Sequence, residues 1–203
     1  MAAGKLGPGD FRVMPWKNGA GSTTELVIEP PGATLADGFR WRVSMATVAE
    51  SGPFSSFPGY DRTLLLLEGQ GLELDHGPHG RALLPGPLAP VRFQGEWATQ
   101  GRLLGGPCLD FNVMSRRGEV QHVVKIVHVA LTPVPLPEAP TVLVFCAGGL
   151  AAVSGADDVL RAGELLRIEG ETGSGRTVRA AEGTSSLVVV AIRPDQVPSG
   201  QHK

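Results

Sequence analysis

The sequence predicts an all-β protein, and three observations carry that prediction. Turn formers are abundant, with 28 glycines and 17 prolines in 203 residues. Apolar residues still make up 42% of the chain, too many for a disordered polymer. Between the turns, short apolar runs recur with alternating or continuous patterning, which is the signature of strands.

Charge and cysteine usage narrow the partners. Eighteen basic and 20 acidic side chains are interspersed to a net charge of -2, so no basic field exists for a phosphate backbone and nucleic acid is not an expected partner. No apolar run approaches the roughly 20 residues that a spanning helix needs, and the start MAAGKLGPGDF lacks the apolar segment of an export signal. A cytoplasmic protein without a membrane partner is expected. Cys108 and Cys146 are far apart in apolar surroundings, which favours free buried thiols over a disulfide or a cysteine-based metal site.

The elements follow in order. Phe11 to Ile28 reads as a short apolar start, a glycine-rich polar loop and a strand. In that loop, Trp16, Lys17, Asn18 and Gly19 are candidate ligand-binding residues, because a backbone free to take positive φ brings N–H groups close to a ligand. A plain Asn-Gly hairpin turn is the competing reading. The following helix pattern and the Gly-Lys-Ser/Thr ending of a phosphate loop are both absent.

From Phe39 onward, Phe39, Trp41, Val43 and Met45 alternate with Arg40, Arg42, Ser44 and Ala46, so Arg42 and Ser44 share one strand face. A Pro/Gly-rich corner, SGPFSSFPGYDR, then delivers Arg62 at the mouth of the buried run Leu64–Leu67. His76 and His79 flank a Gly-Pro turn and are expected in an exposed loop. Further on, CLDFNVMSRRG places Asp110 and Asn112 on one face, where they must be solvated, paired or lining a polar pocket. Arg116 and Arg117 are the candidate ion-pair partners of Asp110.

The segment from Arg62 and the segment from Thr141 share one rhythm: apolar strand, glycine turn, second strand, polar hairpin, apolar pair. That repeat suggests two copies of one β unit, as small antiparallel barrels able to enclose one small ligand. The expected division is residues 1–117, carrying the pocket, and residues 118–203, structural, with strand exchange between them allowed. Ser185 to Ile192 is expected to close the second copy, with a polar frayed tail from Arg193.

With these residues in hand, the chain resembles the HutD/Ves family of bicupin proteins. The stretches that carry the resemblance are MPWKNGAGSTTEL, FRWRVSMATVAESGPFSSFPGYDRTLLLLEGQG, VRFQGEW and CLDFNVMSRRG, over most of the first two thirds. Ala20 stands where family members usually have glycine. The resemblance implies a double cupin, association with histidine utilisation, and no established catalytic activity. It also implies a small acylated amino acid such as N-formylglutamate as ligand. Against the cupin metal pattern, Pro58, Tyr60 and Arg62 fall where two histidines and a glutamate are expected. Such a set suits neither zinc, iron nor manganese, and Arg62 favours an anion.

The expectation is therefore a metal-free binding or regulatory protein without a cofactor, its small carboxylate held by Arg42 and Arg62 bidentately. Lys17 adds charge, while Asn18, Ser44 and Asn112 fix the polar end, and Asp110 orients an arginine or receives a ligand N–H. A homodimer is left open. The alternative is a metal-independent hydrolase or isomerase with Asp110 or Glu25 as base beside Arg62. A third reading makes the same polar groups a purely structural network.

Overall fold

The computed structural model describes residues 3–16, 21–170 and 175–195. The first strands are β1 (Ala3–Leu6), β2 (Arg12–Pro15), β3 (Gly21–Glu29), β4 (Trp41–Val48), β5 (Gly52–Pro53) and β6 (Tyr60–Glu68). They are followed by β7 (Leu72–Asp75), β8 (Arg81–Leu84), β9 (Val91–Gln94), β10 (Gln100–Leu103) and β11 (Cys108–Arg116). The remainder are β12 (Val120–Val129), β13 (Val134–Pro135), β14 (Thr141–Gly148), β15 (Leu150–Val153), β16 (Leu160–Arg161), β17 (Leu165–Glu169), β18 (Thr177–Ala180) and β19 (Ser185–Pro194). Two short 3-10 turns, Pro8–Asp10 and Gly77–His79, are the helical elements among the described residues. No helix there is long and apolar enough to cross a membrane.

The chain forms two compact units, Val13–Gln121 with Arg193–Lys203, and Met1–Arg12 with His122–Ile192. In the first unit a six-stranded sheet runs β2-β3-β4-β11-β6-β9 and a four-stranded sheet runs β5-β10-β7-β8. Leu64 and Leu66 of β6, Phe93 of β9 and Cys108 of β11 pack on Leu72, Leu74 and Leu84 of β7 and β8, so the two sheets meet face to face. Ile28, Phe39, Tyr60 and Met114 form a smaller cluster, in which the Tyr60 hydroxyl accepts the Phe39 N–H at 3.0 Å and donates to the Phe39 carbonyl at 2.9 Å. Tyr60 thus serves to close a corner.

The second unit repeats this order. Its sheets run β1-β17-β14-β19-β12 and β13-β18-β15-β16, so each strand from β4 to β11 has a counterpart eight strands later. The repeat expected from the Arg62 and Thr141 segments is realised as topology. Val142, Val144, Leu187 and Val189 pack on Ala151, Val153 and Val178, giving that unit an apolar centre. Among the described residues the ladders of both units form separate sheets, not one continuous ring of hydrogen bonds.

Three expectations change. Arg193 and Pro194 belong to β19, and the Asp195 N–H donates to the Glu119 carbonyl at 2.9 Å, so the frayed tail does not begin at Arg193. His76 is buried, not in an exposed loop, because the row Leu72, Leu74 and His76 continues onto the apolar face; His79 does stand exposed in its turn. Asp110 has neither Arg116 nor Arg117 as partner. Arg116 contacts Tyr60 and Glu119, and Arg117 contacts Asp61 and Glu96. Six extended residues span about 20 Å, too far for either to reach back.

Candidate functional site

Register explains why the candidate residues meet. On the face of the six-stranded sheet that looks toward the four-stranded sheet, Arg42 of β4 and Arg62 of β6 both stand opposite Met114 of β11. Neighbouring strands lie about 4.8 Å apart, so the two arginines start roughly 10 Å from each other. One step along, Glu25, Ser44, Asn112 and Leu64 form the next row, and beyond it Thr23, Ala46, Asp110 and Leu66. Arg42, Ser44, Arg62, Asp110 and Asn112 are all buried. Apart from Arg62 of β6, the polar groups gather on the β3–β4–β11 side of the face and the leucines on the β6 side.

Arg42 is held twice. Its Nε donates to Glu25 Oε2 at 2.7 Å and its Nη1 to Ser44 Oγ at 3.2 Å, which leaves Nη2 buried without a partner. Arg42 therefore keeps the two N–H groups of Nη2 unengaged. Glu25, with its side chain 12% exposed, balances the charge of Arg42.

Arg62 is held differently. Its Nη1 donates to the Ser55 carbonyl at 3.1 Å, and its guanidinium lies 5.9, 5.3 and 4.9 Å from the ring centroids of Phe54, Phe57 and Phe93. This aromatic box fixes the group by cation–π attraction while sheltering it from water. Nε is buried and unpartnered, and no described residue bonds Nη2, so the side-on edge that grips a carboxylate is unengaged. Burial lowers the Arg62 pKa to about 10; nearby Asp110 opposes that shift and Arg42 adds to it, and the group stays cationic at neutral pH.

Asp110 and Asn112 complete the face. Burial pushes the Asp110 carboxyl up to about 7, against the pull of the Arg62 charge and a hydrogen bond from the Ala46 backbone. No ion pair joins Asp110 to Arg62 among the described residues, and the Oδ1 atoms of both Asp110 and Asn112 are buried without partners. The Cys108 thiol is raised to about 11, first by burial and then by Asp110, and both cysteines are free and buried.

Of the loop residues, Trp16 is described and Lys17, Asn18 and Gly19 lie outside the described residues. Trp16 donates through Nε1 to Thr23 Oγ1 at 2.8 Å and packs against the cluster of Leu64 and Leu66, at the border of the polar face. Among the described residues no three His, Cys, Asp or Glu side chains converge as a metal ion would need. Sequence reasoning missed the Phe54–Phe57–Phe93 box and the Ser55 carbonyl. Phe54 and Phe57 were visible in the Pro/Gly corner, but only the β6–β9 register, which sets Phe93 opposite Arg62, gives them a shared purpose.

Comparison with known proteins bears on the family and the fold. The HutD family model matches residues 9–188. A 21.2 kDa protein from the hutC 3' region of Pseudomonas putida is 39% identical over 165 residues, covering 79% of this chain and 84% of that protein. Protein Ves of Escherichia fergusonii is 37% identical over 121 residues, covering 58% of this chain and 61% of that protein, so the match spans less than two thirds of its length. Among solved structures, a conserved protein of unknown function from Pseudomonas aeruginosa superposes with a TM-score of 0.83 at 30% identity, covering 96% of this chain and 100% of that one. HutD from Pseudomonas fluorescens, solved in a formate condition, gives 0.80 at 30% identity with the same coverage. Oxalate decarboxylase of Lactobacillus farciminis, at 10% identity and a TM-score of 0.64 over 94% of this chain and 86% of that one, shares the cupin-like fold alone.

Proposed function

The chain belongs to the HutD family, and from that premise we propose that it is a metal-free cupin binding or regulatory protein for a small carboxylate. In this reading each unit is one small antiparallel barrel of a bicupin, and the pocket belongs to the unit that carries Arg62. An acylated amino acid such as N-formylglutamate is the ligand class, in keeping with histidine degradation. The relative from the hutC 3' region supports that direction.

The observation that carries the proposal is the unengaged edge of Arg62. A buried guanidinium with its Nε unpartnered and no described partner on Nη2 is complementary to a carboxylate, and its low-dielectric box strengthens that pairing. Arg42 Nη2 adds a second donor from across β11, and Asn112 lies between the two strands.

Isothermal calorimetry with N-formylglutamate tests this. Arg62→Ala is expected to weaken binding about 100-fold, near 3 kcal/mol, and Arg62→Lys about tenfold because it keeps the charge and loses the fork. If the polar cluster is purely structural, Arg62→Ala instead unfolds the protein and no carboxylate shifts the melting temperature at millimolar concentration. A second reading, hydrolase or isomerase chemistry, is favoured by one fact: the Asp110 carboxyl sits near 7, where a general base is most useful. Product formation that is lost in Asp110→Asn supports it, and binding without turnover removes it.

A further inference from the structure

His76 comes directly after β7 and shares the Phe93 ring with Arg62. It follows Leu72 and Leu74 on the buried row of β7, and it is 3% exposed. Its partner Thr99 is equally buried, one residue before β10. The direction of the Thr99 hydroxyl sets the tautomer of His76. The Thr99 hydroxyl donates its single proton to the Trp97 carbonyl at 3.1 Å, so Thr99 Oγ1 accepts from His76 Nδ1 at 2.8 Å. In the neutral ring Nδ1 then carries the proton, and Nε2 presents a lone pair.

That lone pair is buried and has no partner. The ring cannot easily turn away, because it is lodged 4.9 Å from the Phe93 ring and 5.2 Å, edge-on, from Trp97, with His79 stacked on Trp97 at 4.5 Å. Phe93 is also the ring that holds the Arg62 guanidinium at 4.9 Å. An orphaned donor, Arg62 Nε, and an orphaned acceptor, His76 Nε2, therefore attend one aromatic wall. A buried acceptor left unpaired is costly, and the cost is removed when a bound molecule supplies the proton.

We propose that His76 Nε2 is a specificity-determining acceptor that takes an N–H or O–H from the same ligand whose carboxylate Arg62 grips. The ligand class is then a carboxylate that carries a hydrogen-bond donor, and a carboxylate of the same shape without that donor is rejected. The assignment rests on the anion-binding reading of Arg62.

Two probes of the same shape decide it: N-formylglutamate, and 2-(formyloxy)glutarate, in which an ester oxygen replaces the N–H. Calorimetry on the wild-type protein is expected to show the amide bound about tenfold or more tighter than the ester, as for sites built around a ligand N–H. His76→Leu is expected to erase that preference and to leave ester affinity within about twofold. A thermal melt checks that the variant folds. Should it not, the 15N resonance of His76 Nε2 in the wild type decides: it moves toward the hydrogen-bonded value on adding the amide and stays put with the ester. A preference that survives His76→Leu, or a resonance indifferent to the amide, overturns the assignment in favour of Asp110 or an ordered water as the acceptor of the ligand N–H. Equal binding of both probes by the wild type overturns this inference alone. Binding of neither overturns the carboxylate reading itself, and this inference with it.

Discussion

Asp110 carries a pH dependence whose sign follows from its burial. Its folded carboxyl titrates near 7, whereas an unfolded aspartate titrates near 3.9. Below about pH 4 both states are protonated and the group costs nothing. As pH rises toward 7 the unfolded chain ionises first, so stability falls across that window and levels off once the folded carboxyl ionises too. Melting temperatures measured from pH 5 to pH 8 are expected to decline, and Asp110→Asn is expected to remove that decline. The same logic governs a bound carboxylate, which disfavours an ionised neighbour. Affinity is expected to weaken from pH 6 to pH 8 with proton uptake on binding, visible as a buffer-dependent calorimetric enthalpy, and Asp110→Asn should abolish both effects. An unchanged slope in that variant shows that the carboxyl is not part of the ligand's surroundings.

At the scale of elements, the aromatic box depends on a corner that the β6–β9 pairing holds in place. The Phe57 N–H donates to the Gly95 carbonyl and the Gly95 N–H to the Tyr60 carbonyl, each at 2.7 Å. A side chain at Gly95 would put its Cβ 2.4 Å from the Phe57 carbonyl oxygen, and no flexible group is there to yield. Gly95→Ala is therefore expected to cost about 1–3 kcal/mol in chemical denaturation, as overpacking does. It should also weaken carboxylate binding, because the displaced segment bears Phe54, Ser55 and Phe57. A variant that melts early but binds as tightly as wild type shows that the box does not hold Arg62 in its working position. Phe54 depends on a second close approach: a Cβ at Gly101 would lie 2.5 Å from its ring.

Across the whole molecule, two units of one topology have diverged in what they bury. The unit of Val13–Gln121 lines one sheet face with Arg42, Ser44, Arg62, Asp110 and Asn112, while the other is filled by Val142, Val144, Leu187 and Val189. Leu187→Ala in that apolar centre is expected to lower stability by about 2–5 kcal/mol. Below the melting transition it should leave carboxylate affinity unchanged; a large loss of affinity in the folded variant shows that the binding site is not confined to the Arg62 unit.

Period-two alternation was enough to put Arg42 with Ser44 and Asp110 with Asn112, because a strand's side chains change face at every residue whatever surrounds it. The glycine-punctuated rhythm was enough to reveal the repeat, and the composition to exclude helices as the main elements. Which strands become neighbours is decided by contacts far apart in sequence, so no local pattern could set Arg62 level with Arg42 or opposite Phe93. The same holds for charge and hydrogen bonding. That Arg42 is tied to Glu25 while Arg62 Nε has no partner, and that His76 is buried in its turn instead of exposed, are facts of three-dimensional packing. The sequence by itself determined the fold class and the cast of polar residues; the tertiary structure alone decided which of them keep an unpaired donor or acceptor, because pairing depends on distances that only packing fixes.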